Sequence, residues 1–321
     1  MFVIPTRIKS EIETECSSGA QIEQDILKWF SPPDPSTNYN IACETQSEGT
    51  AAWFLEGKKF ENWLLSGSLL WIHGKRKLSL SCTAHRLIVS DLHSWIREEH
   101  PLVCHFPTTV VQRLTIITTS SATINHVISL RDAGDASLAY FYFDFRDEEK
   151  KQDFLNFLKS LLVQLSAYSI PCCKIISRLY STHAKGTHQP SNGILEACLR
   201  EMLSAVAEKP IYIIVDALDE CPDLSGMPTP REAVLNLLKS LVLMGVPNLR
   251  IFVTSRPEFD IQAVLEPLAD ISVSLHDEYG QKKDIFNYVR NVVHTDKKMR
   301  RWRSDQKDLV VEELSEKADG M

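Results

Sequence analysis

The stretch that decides the fold is IYIIVDALDE, residues Ile211–Glu220. It begins with an apolar run that has no polar alternation, which predicts a strand buried on both faces, as in a parallel α/β sheet. Three carboxylates, Asp216, Asp219 and Glu220, follow where this strand should end. The carboxyl ends of the strands form the edge at which open α/β sheets bind ligands. We therefore expect a binding site at the end of this strand.

An aspartate placed directly after such a strand is typical of the Walker B motif of P-loop nucleotidases. In that motif Asp216 would hold Mg²⁺, which bridges the β- and γ-phosphates and offsets charge as the bond breaks. Asp219 and Glu220 would lie beyond the strand end, where a carboxylate can orient or deprotonate an attacking water. We predict a metal ligand in Asp216 and catalytic roles for the other two. The alternative is a buried strand that runs into an acidic, solvated loop.

A second apolar run, LRIFVTSRP at residues 249–257, predicts a neighbouring buried strand that ends in Thr-Ser-Arg. The guanidinium of Arg256 has the fork geometry that binds a γ-phosphate through two hydrogen bonds. We therefore predict that Arg256 both binds the cofactor and acts in catalysis. The alternatives are that it caps a helix or pairs with Asp219.

Short apolar runs alternate with helical patterns along the main part of the chain, as a parallel α/β fold requires. The predicted strands are residues 68–73, 138–143, 211–215, 249–254 and 271–274. The predicted helices are residues 150–168, 193–207, 231–244, 259–265, 281–293 and 308–318. An amphipathic pattern at residues 8–30 predicts an N-terminal helix or helix pair, and the prolines of residues 31–36 predict a stiff linker.

The phosphate-binding loop that should accompany a Walker B strand is missing. This loop follows the pattern Gly-x-x-x-x-Gly-Lys-[Ser/Thr], in which backbone N–H groups wrap the phosphates and the lysine contacts the β/γ oxygens. Gly74 and Lys75 stand where the loop should begin, and we predict that they bind the cofactor. Ser79 and Leu80 stand where the second glycine and the lysine belong. Losing that lysine should cost on the order of 2–5 kcal/mol, so we expect weak ATP or GTP binding or none.

The segments at residues 213–221 and 253–257 together resemble the NACHT branch of STAND NTPases, and most of all the nephrocystin-type NACHT domain abundant in filamentous fungi. Residues 48–54, 68–75 and 140–147 are also similar to it. The resemblance implies a three-layer P-loop NTPase core with strand order 5-1-4-3-2, in which Asp216 and Arg256 face the nucleotide from adjacent strands. It implies ATP or GTP with Mg²⁺ as cofactor, nucleotide hydrolysis, and a nucleotide-gated switch in signalling or self/non-self recognition. It also suggests protein partners or self-association.

The chain divides into three predicted parts. Residues 1–47 form a helical segment with a proline-rich linker, residues 48–275 a degenerate NACHT domain, and residues 276–321 the start of a truncated helical extension. Within the domain, residues 76–121 are interpreted as a non-homologous insert, such as a retained intron, that replaces the P-loop. A genuine inserted element and a zinc cluster are the alternatives, although the spacing of the zinc candidates fits no common pattern. These candidates are Cys82, His85, His93, His100, Cys104 and His105.

Composition limits the remaining functions. The 321 residues carry a net charge of −7, which gives no general attraction to nucleic acid or anionic membranes. The basic run at residues 297–303 is interpreted as a solvated connector. Without an apolar run of roughly 20 residues or a Cys-x-x-Cys pair, we expect a cytoplasmic protein with reduced thiols and no membrane contact. The alternative to the switch is a nucleotide-independent interaction module or a decayed gene fragment.

Overall fold

Five parallel strands form the centre of the structure, a computed structural model that describes residues 19–45, 51–74, 108–144, 153–206, 208–223, 226–275, 286–287, 290, 293–294 and 302–319. The strands are β1 (Leu69–His73), β2 (Ser137–Tyr142), β3 (Ile211–Asp216), β4 (Leu249–Ser255) and β5 (Ile271–Ser274). They are ordered β2-β3-β4-β1-β5, and each neighbouring pair is parallel. This confirms the predicted order 5-1-4-3-2, and each predicted strand is found within one residue of its predicted ends.

Helices flank this sheet in the pattern of an α/β fold. They are α1 (Gly19–Phe30), α2 (Ser36–Thr45), α3 (Ala52–Leu55), α4 (Lys58–Leu65), α5 (Thr108–Asp132), α6 (Phe154–Ala167), α7 (Ile170–Thr182), α8 (Asn192–Ala205), α9 (Pro230–Leu243), α10 (Phe259–Leu265) and α11 (Ser304–Asp319). The helix predicted at residues 281–293 and the residues before Gly19 lie largely or wholly outside the described ranges. Helix α7 was not predicted from the sequence.

The sheet is buried on both faces because alternate side chains of each strand enter different apolar cores. In β1, Leu69 and Trp71 pack in one core, and Leu70 and Ile72 pack in the other. The first core lies under α1 and α6 to α10, and the second lies under α3, α4 and α5. Because both faces are covered, the strands are continuous apolar runs without alternation. The three-layer architecture is therefore confirmed.

Local sequence signals fix where the helices on the first face begin. Asp153 and Ser169 accept hydrogen bonds from backbone N–H groups in the first turns of α6 and α7. Thr229 does the same for α9, at a distance of 3.2 Å to Glu232 N, and Pro230 follows it at the first helical position. Short polar caps satisfy backbone donors that a helix start leaves unpaired, and proline at that position removes one.

The edge strand β2 is covered by a side chain from α6. Gln164 is buried, accepts a hydrogen bond from Tyr140 N at 3.0 Å and donates one to Tyr140 O at 2.8 Å. These are the backbone groups that a sheet edge leaves exposed for pairing with another strand. The glutamine therefore closes the edge next to β3, which carries the Walker B-like motif.

Helix α5 contacts β2 and β3 and brings an unusually polar surface into the second core. Thr119, Ser120, Ser121 and Thr123 are all fully buried. Residues 108–121 of the predicted insert therefore form the first part of this helix, whereas residues 75–107, with the zinc candidates, lie outside the described residues. The interpretation of 76–121 as an insert stays a prediction.

Aromatic residues before β1 pack onto the second core. Phe54, Phe60 and Trp63 are buried, and Trp63 Nε1 donates to Ile251 O at 3.1 Å, which ties α4 to the centre of β4. Within the described residues, no helix combines the length and the apolar character needed to cross a bilayer.

Candidate functional site

The carboxyl ends of β1, β3 and β4 place most of the predicted site residues on one edge of the sheet. Gly74 directly follows β1 and is buried, Asp216 ends β3, and Arg256 directly follows β4. Since β3 and β4 are hydrogen-bonded neighbours, the predicted placement of Asp216 and Arg256 on adjacent strands is confirmed. Lys75, the other predicted cofactor-binding residue, lies outside the described residues.

The carboxylate of Asp216 is held by hydroxyl groups from two different elements. Asp216 is only 2% exposed and lies on the sheet face covered by α5. Its Oδ1 accepts a hydrogen bond from Thr254 Oγ1 on β4 at 2.7 Å and another from Ser120 Oγ on α5. Both of these donors are neutral hydroxyl groups, and they fix the orientation of the carboxylate.

Thr254 also connects this carboxylate to the turn that follows β3. Its Oγ1 accepts a hydrogen bond from Ala217 N at 3.0 Å while its proton goes to Asp216. Ala217 has a φ of 55°, the left-handed conformation that non-glycine residues rarely adopt. The hydroxyl of Thr254 therefore stabilises a sharp turn that directs the next residues away from the strand.

Asp219, in the 3₁₀ turn Leu218–Glu220, is bound by Arg256. Asp219 Oδ1 accepts from Arg256 N at 2.9 Å, and its Oδ2 accepts from Arg256 Nε at 2.6 Å. The side chain of Asp219 is 8% exposed and that of Arg256 is 31% exposed. The pairing considered as an alternative role for Arg256 is thus the one that the structure shows. The arginine nevertheless stays at the edge of the site with part of its side chain open to solvent.

Arg231, near the start of α9, holds the same turn through its backbone. Its guanidinium donates to Asp219 O at 2.8 Å and to Cys221 O at 2.9 Å, and it forms an ion pair with Asp260 at 3.3 Å. The third predicted carboxylate, Glu220, is 8% exposed within this turn. The acidic turn is therefore a fixed part of the fold, which disfavours the alternative of a solvated loop.

Tyr142, the last residue of β2, is the direct sheet neighbour of Asp216. Residues paired in this way project to the same face of the sheet. This is the face that α5 covers, and Ser120 of α5 reaches Asp216 there. The Tyr142 hydroxyl is buried and has no hydrogen-bond partner in the described part of the chain. Burial, and then the charge of Asp216, raise the pKa of Tyr142 well above its ordinary value, so the phenol is neutral.

Three residues of this site were not assigned a role from the sequence: Ser120, Thr254 and Tyr142. Thr254 is visible in the Thr-Ser-Arg motif and could have been found, because its place in β4 aligns it with the end of β3. Ser120 is 96 residues from Asp216 along the chain, and only the packing of α5 over the sheet brings them together. Tyr142 looks like a core aromatic residue in a run of aromatic residues, and nothing in that pattern marks its hydroxyl.

The donors around Asp216 suit a hard divalent cation. Carboxylate and hydroxyl oxygens are the protein ligands that Mg²⁺ accepts, and the ion keeps several of its waters in such sites. Tyr142, at the sheet position next to Asp216, has a further oxygen on this face, and this hydroxyl has no hydrogen-bond partner among the described residues. The chemistry of these residues therefore fits the Mg²⁺ that the resemblance seen in the sequence implies.

Part of the chain matches a known family. Residues 117–256 match the family model described as Nephrocystin 3, N-terminal. Comparisons with curated proteins and with solved structures find no match. The matched region is less than half of the chain and runs from α5 to Arg256, so it contains the hydroxyl of Ser120, the carboxylates of the 3₁₀ turn and the end of β4. This region is therefore similar to the N-terminal module of nephrocystin 3, as the resemblance seen in the sequence implied.

Proposed function

We propose that this chain carries a nucleotide-responsive signalling switch of the NACHT type, in which Asp216 holds Mg²⁺ and nucleotide affinity is low. The observation that carries the proposal is the hydrogen bond from Ser120, on the next helix that the structure describes after β1, to Asp216 at the end of β3. P-loop NTPases hold Mg²⁺ with this same combination, a hydroxyl from the helix after the first strand and a Walker B aspartate. Ser120 would supply that hydroxyl although Thr118 and Thr119, and not a Gly-Lys pair, stand directly before it.

Arg256 would detect the terminal phosphate. Its guanidinium is bound to Asp219 through Nε, and part of it stays exposed at the ligand-binding edge. A phosphate that arrives at this edge would compete with Asp219 for the guanidinium, because both are anions that accept its hydrogen bonds. Release of Asp219 would free a carboxylate in the turn after β3. Asp219 and Glu220 are the candidates for orienting a hydrolytic water.

Weak binding is part of the proposal. The cradle of backbone donors and the lysine that characterise a P-loop are not found after β1 in the sequence. Affinity should therefore be tens- to thousands-fold below that of an intact site. ATP and GTP remain equal candidates, and protein partners or self-association would transmit the state of the switch.

The test is the thermal stability of the purified chain with MgATP or MgGTP at concentrations up to about ten millimolar. A ligand that binds only the native state raises its stability by about 2.7 kcal/mol at a hundred times its Kd. We expect a rise in Tm that needs Mg²⁺, is lost in EDTA and is lost in Asp216→Asn. The control is Asp135→Asn. It removes an exposed carboxylate just before β2, at the amino ends of the strands, and should leave the rise in Tm intact.

Two results would contradict the proposal. A Tm indifferent to both nucleotides would favour the nucleotide-independent interaction module. A nucleotide-induced rise that persists in Asp216→Asn would mean that binding occurs elsewhere on the chain.

A further inference from the structure

The Tyr142 hydroxyl has a combination of properties that a merely structural tyrosine does not need. Tyr142 is 4% exposed, and its oxygen finds no hydrogen-bond partner in the part of the chain that the structure describes. An unsatisfied buried hydroxyl is destabilising, and native proteins rarely tolerate one without a reason. Phenylalanine would fill the same space without this penalty.

The surroundings of Tyr142 indicate which group its hydroxyl would bind. The residue stands directly beside Asp216 in the sheet and projects to the same face. One oxygen of that carboxylate is occupied by the Ser120 and Thr254 hydroxyls. The sheet position next to this carboxylate thus carries a neutral phenol, which can accept one hydrogen bond and donate another.

We propose that the Tyr142 hydroxyl is an outer-sphere ligand of the divalent cation, accepting a hydrogen bond from a water bound to the ion at Asp216. This inference rests on the proposed function, since it needs a cation at Asp216. Mg²⁺ retains several waters when protein carboxylates bind it, and these waters need acceptors. Partners of this kind typically change metal affinity 10–100-fold when they are removed.

The experiment compares the wild-type chain with Tyr142→Phe and Tyr140→Phe. Tyr140 lies two residues earlier in the same strand, with its ring in the same core, so it is a matched control for the loss of a buried phenol. Two quantities are measured for each protein. One is the Tm without ligand, and the other is the affinity for Mn²⁺ in the presence of ATP, followed by the rise in Tm as Mn²⁺ is added at a fixed ATP concentration.

We expect Tyr142→Phe to keep or raise the ligand-free Tm, because it removes a buried hydroxyl that has no hydrogen-bond partner among the described residues. Its Mn²⁺ affinity in the presence of ATP should fall about tenfold, while Tyr140→Phe should keep the wild-type affinity. A lower ligand-free Tm in Tyr142→Phe would show that the hydroxyl has a structural partner and would overturn the inference.

The binding results separate the two proposals. If the wild type binds Mn²⁺ with ATP and Tyr142→Phe binds equally well, the inference about Tyr142 is wrong and the proposed switch stands. If the wild type binds no Mn²⁺ with ATP, the proposed function fails, and the inference fails with it.

Discussion

Asp216 and Asp219 lie three residues apart at the end of β3, yet their carboxylates are held by different kinds of partner. Asp216 ends β3 and accepts from the neutral hydroxyls of Ser120 and Thr254. Asp219 accepts from the backbone and the guanidinium of Arg256. In the first case two hydroxyl groups orient the carboxylate, whereas in the second a guanidinium carries the opposite charge.

This difference indicates which carboxylate suits a cation and which suits a switch. A carboxylate that hydroxyl groups orient, and that is only 2% exposed, can act as a ligand of a divalent ion. A carboxylate paired with an arginine can instead exchange that partner for a competing anion. The comparison can be tested at Asp216, at Asp219 and at a third carboxylate outside the site, Asp270.

The largest effect on stability is expected at Thr254, which is fully buried and serves two partners. Thr254→Val keeps the shape but removes the donor to Asp216 and the acceptor for Ala217 N. The Asp216 carboxylate would then lack this donor, and the Ala217 N–H would lack its acceptor. Losing both hydrogen bonds should lower the free energy of unfolding by roughly 2–3 kcal/mol. The measurement is urea unfolding, with a fall in midpoint at an unchanged slope.

Thr254→Ser is the control, because it keeps the hydroxyl and should keep most of the stability. If valine and serine lowered the midpoint equally, the methyl group of Thr254 would be responsible and the hydroxyl would not be the main support of Asp216.

A smaller effect is expected for the pair of Asp219 and Arg256. A double-mutant cycle with Asp219→Ala and Arg256→Ala should give a coupling energy of about 1 kcal/mol, since the arginine side chain is 31% exposed. Added salt should reduce this coupling, because it screens a partly exposed pair. A coupling near zero would mean that the pair does not hold the turn, and the contrast with Asp216 would disappear.

The sequence predicted the sheet well because its strands are apolar runs bounded by turns. Residues 211–216 and 249–255 are buried throughout, so their lack of alternation predicted parallel strands with ligand-binding ends. Helix α7 was missed for a physical reason. Ser169 and Pro171 mark its start, but the two adjacent cysteines that follow have weak helix propensity. Packing against α6 and α8 stabilises the helix, and no local pattern shows that packing.

The site was predicted only where its residues follow strands. Asp216 and Arg256 were placed correctly on adjacent strands, but the partner that Arg256 prefers was left open between Asp219 and a phosphate. Ser120 fell within a segment interpreted as an insert, since a run of threonines and serines has no clear helical period. Its role depends on the packing of α5 across β3, a tertiary contact that no local pattern encodes.

The smallest effect on stability is expected at Asp270, an exposed carboxylate directly before β5, at the amino ends of the strands. Like Asp216, it accepts hydrogen bonds from neutral donors. Its Oδ2 accepts from Ser68 N at 2.6 Å, from Ser68 Oγ at 2.7 Å and from Leu69 N at 3.2 Å. Partial burial opposes ionisation, but these hydrogen bonds and the charge of Arg250 outweigh it and lower the pKa of Asp270.

A carboxyl group whose pKa is lower in the folded chain stabilises the fold above its unfolded pKa, and loses that contribution as pH falls through the folded value. Asp270→Asn should therefore have a lower urea midpoint than wild type at neutral pH, and the difference should shrink below about pH 4. Asp135→Asn, which removes an exposed carboxylate without these donors, should show no such trend. A gap between Asp270→Asn and wild type that stayed constant into acid would mean that the hydrogen bonds from Ser68 and Leu69 do not favour the ionised form. Donors of the same kind would then be a weaker explanation for the orientation of Asp216.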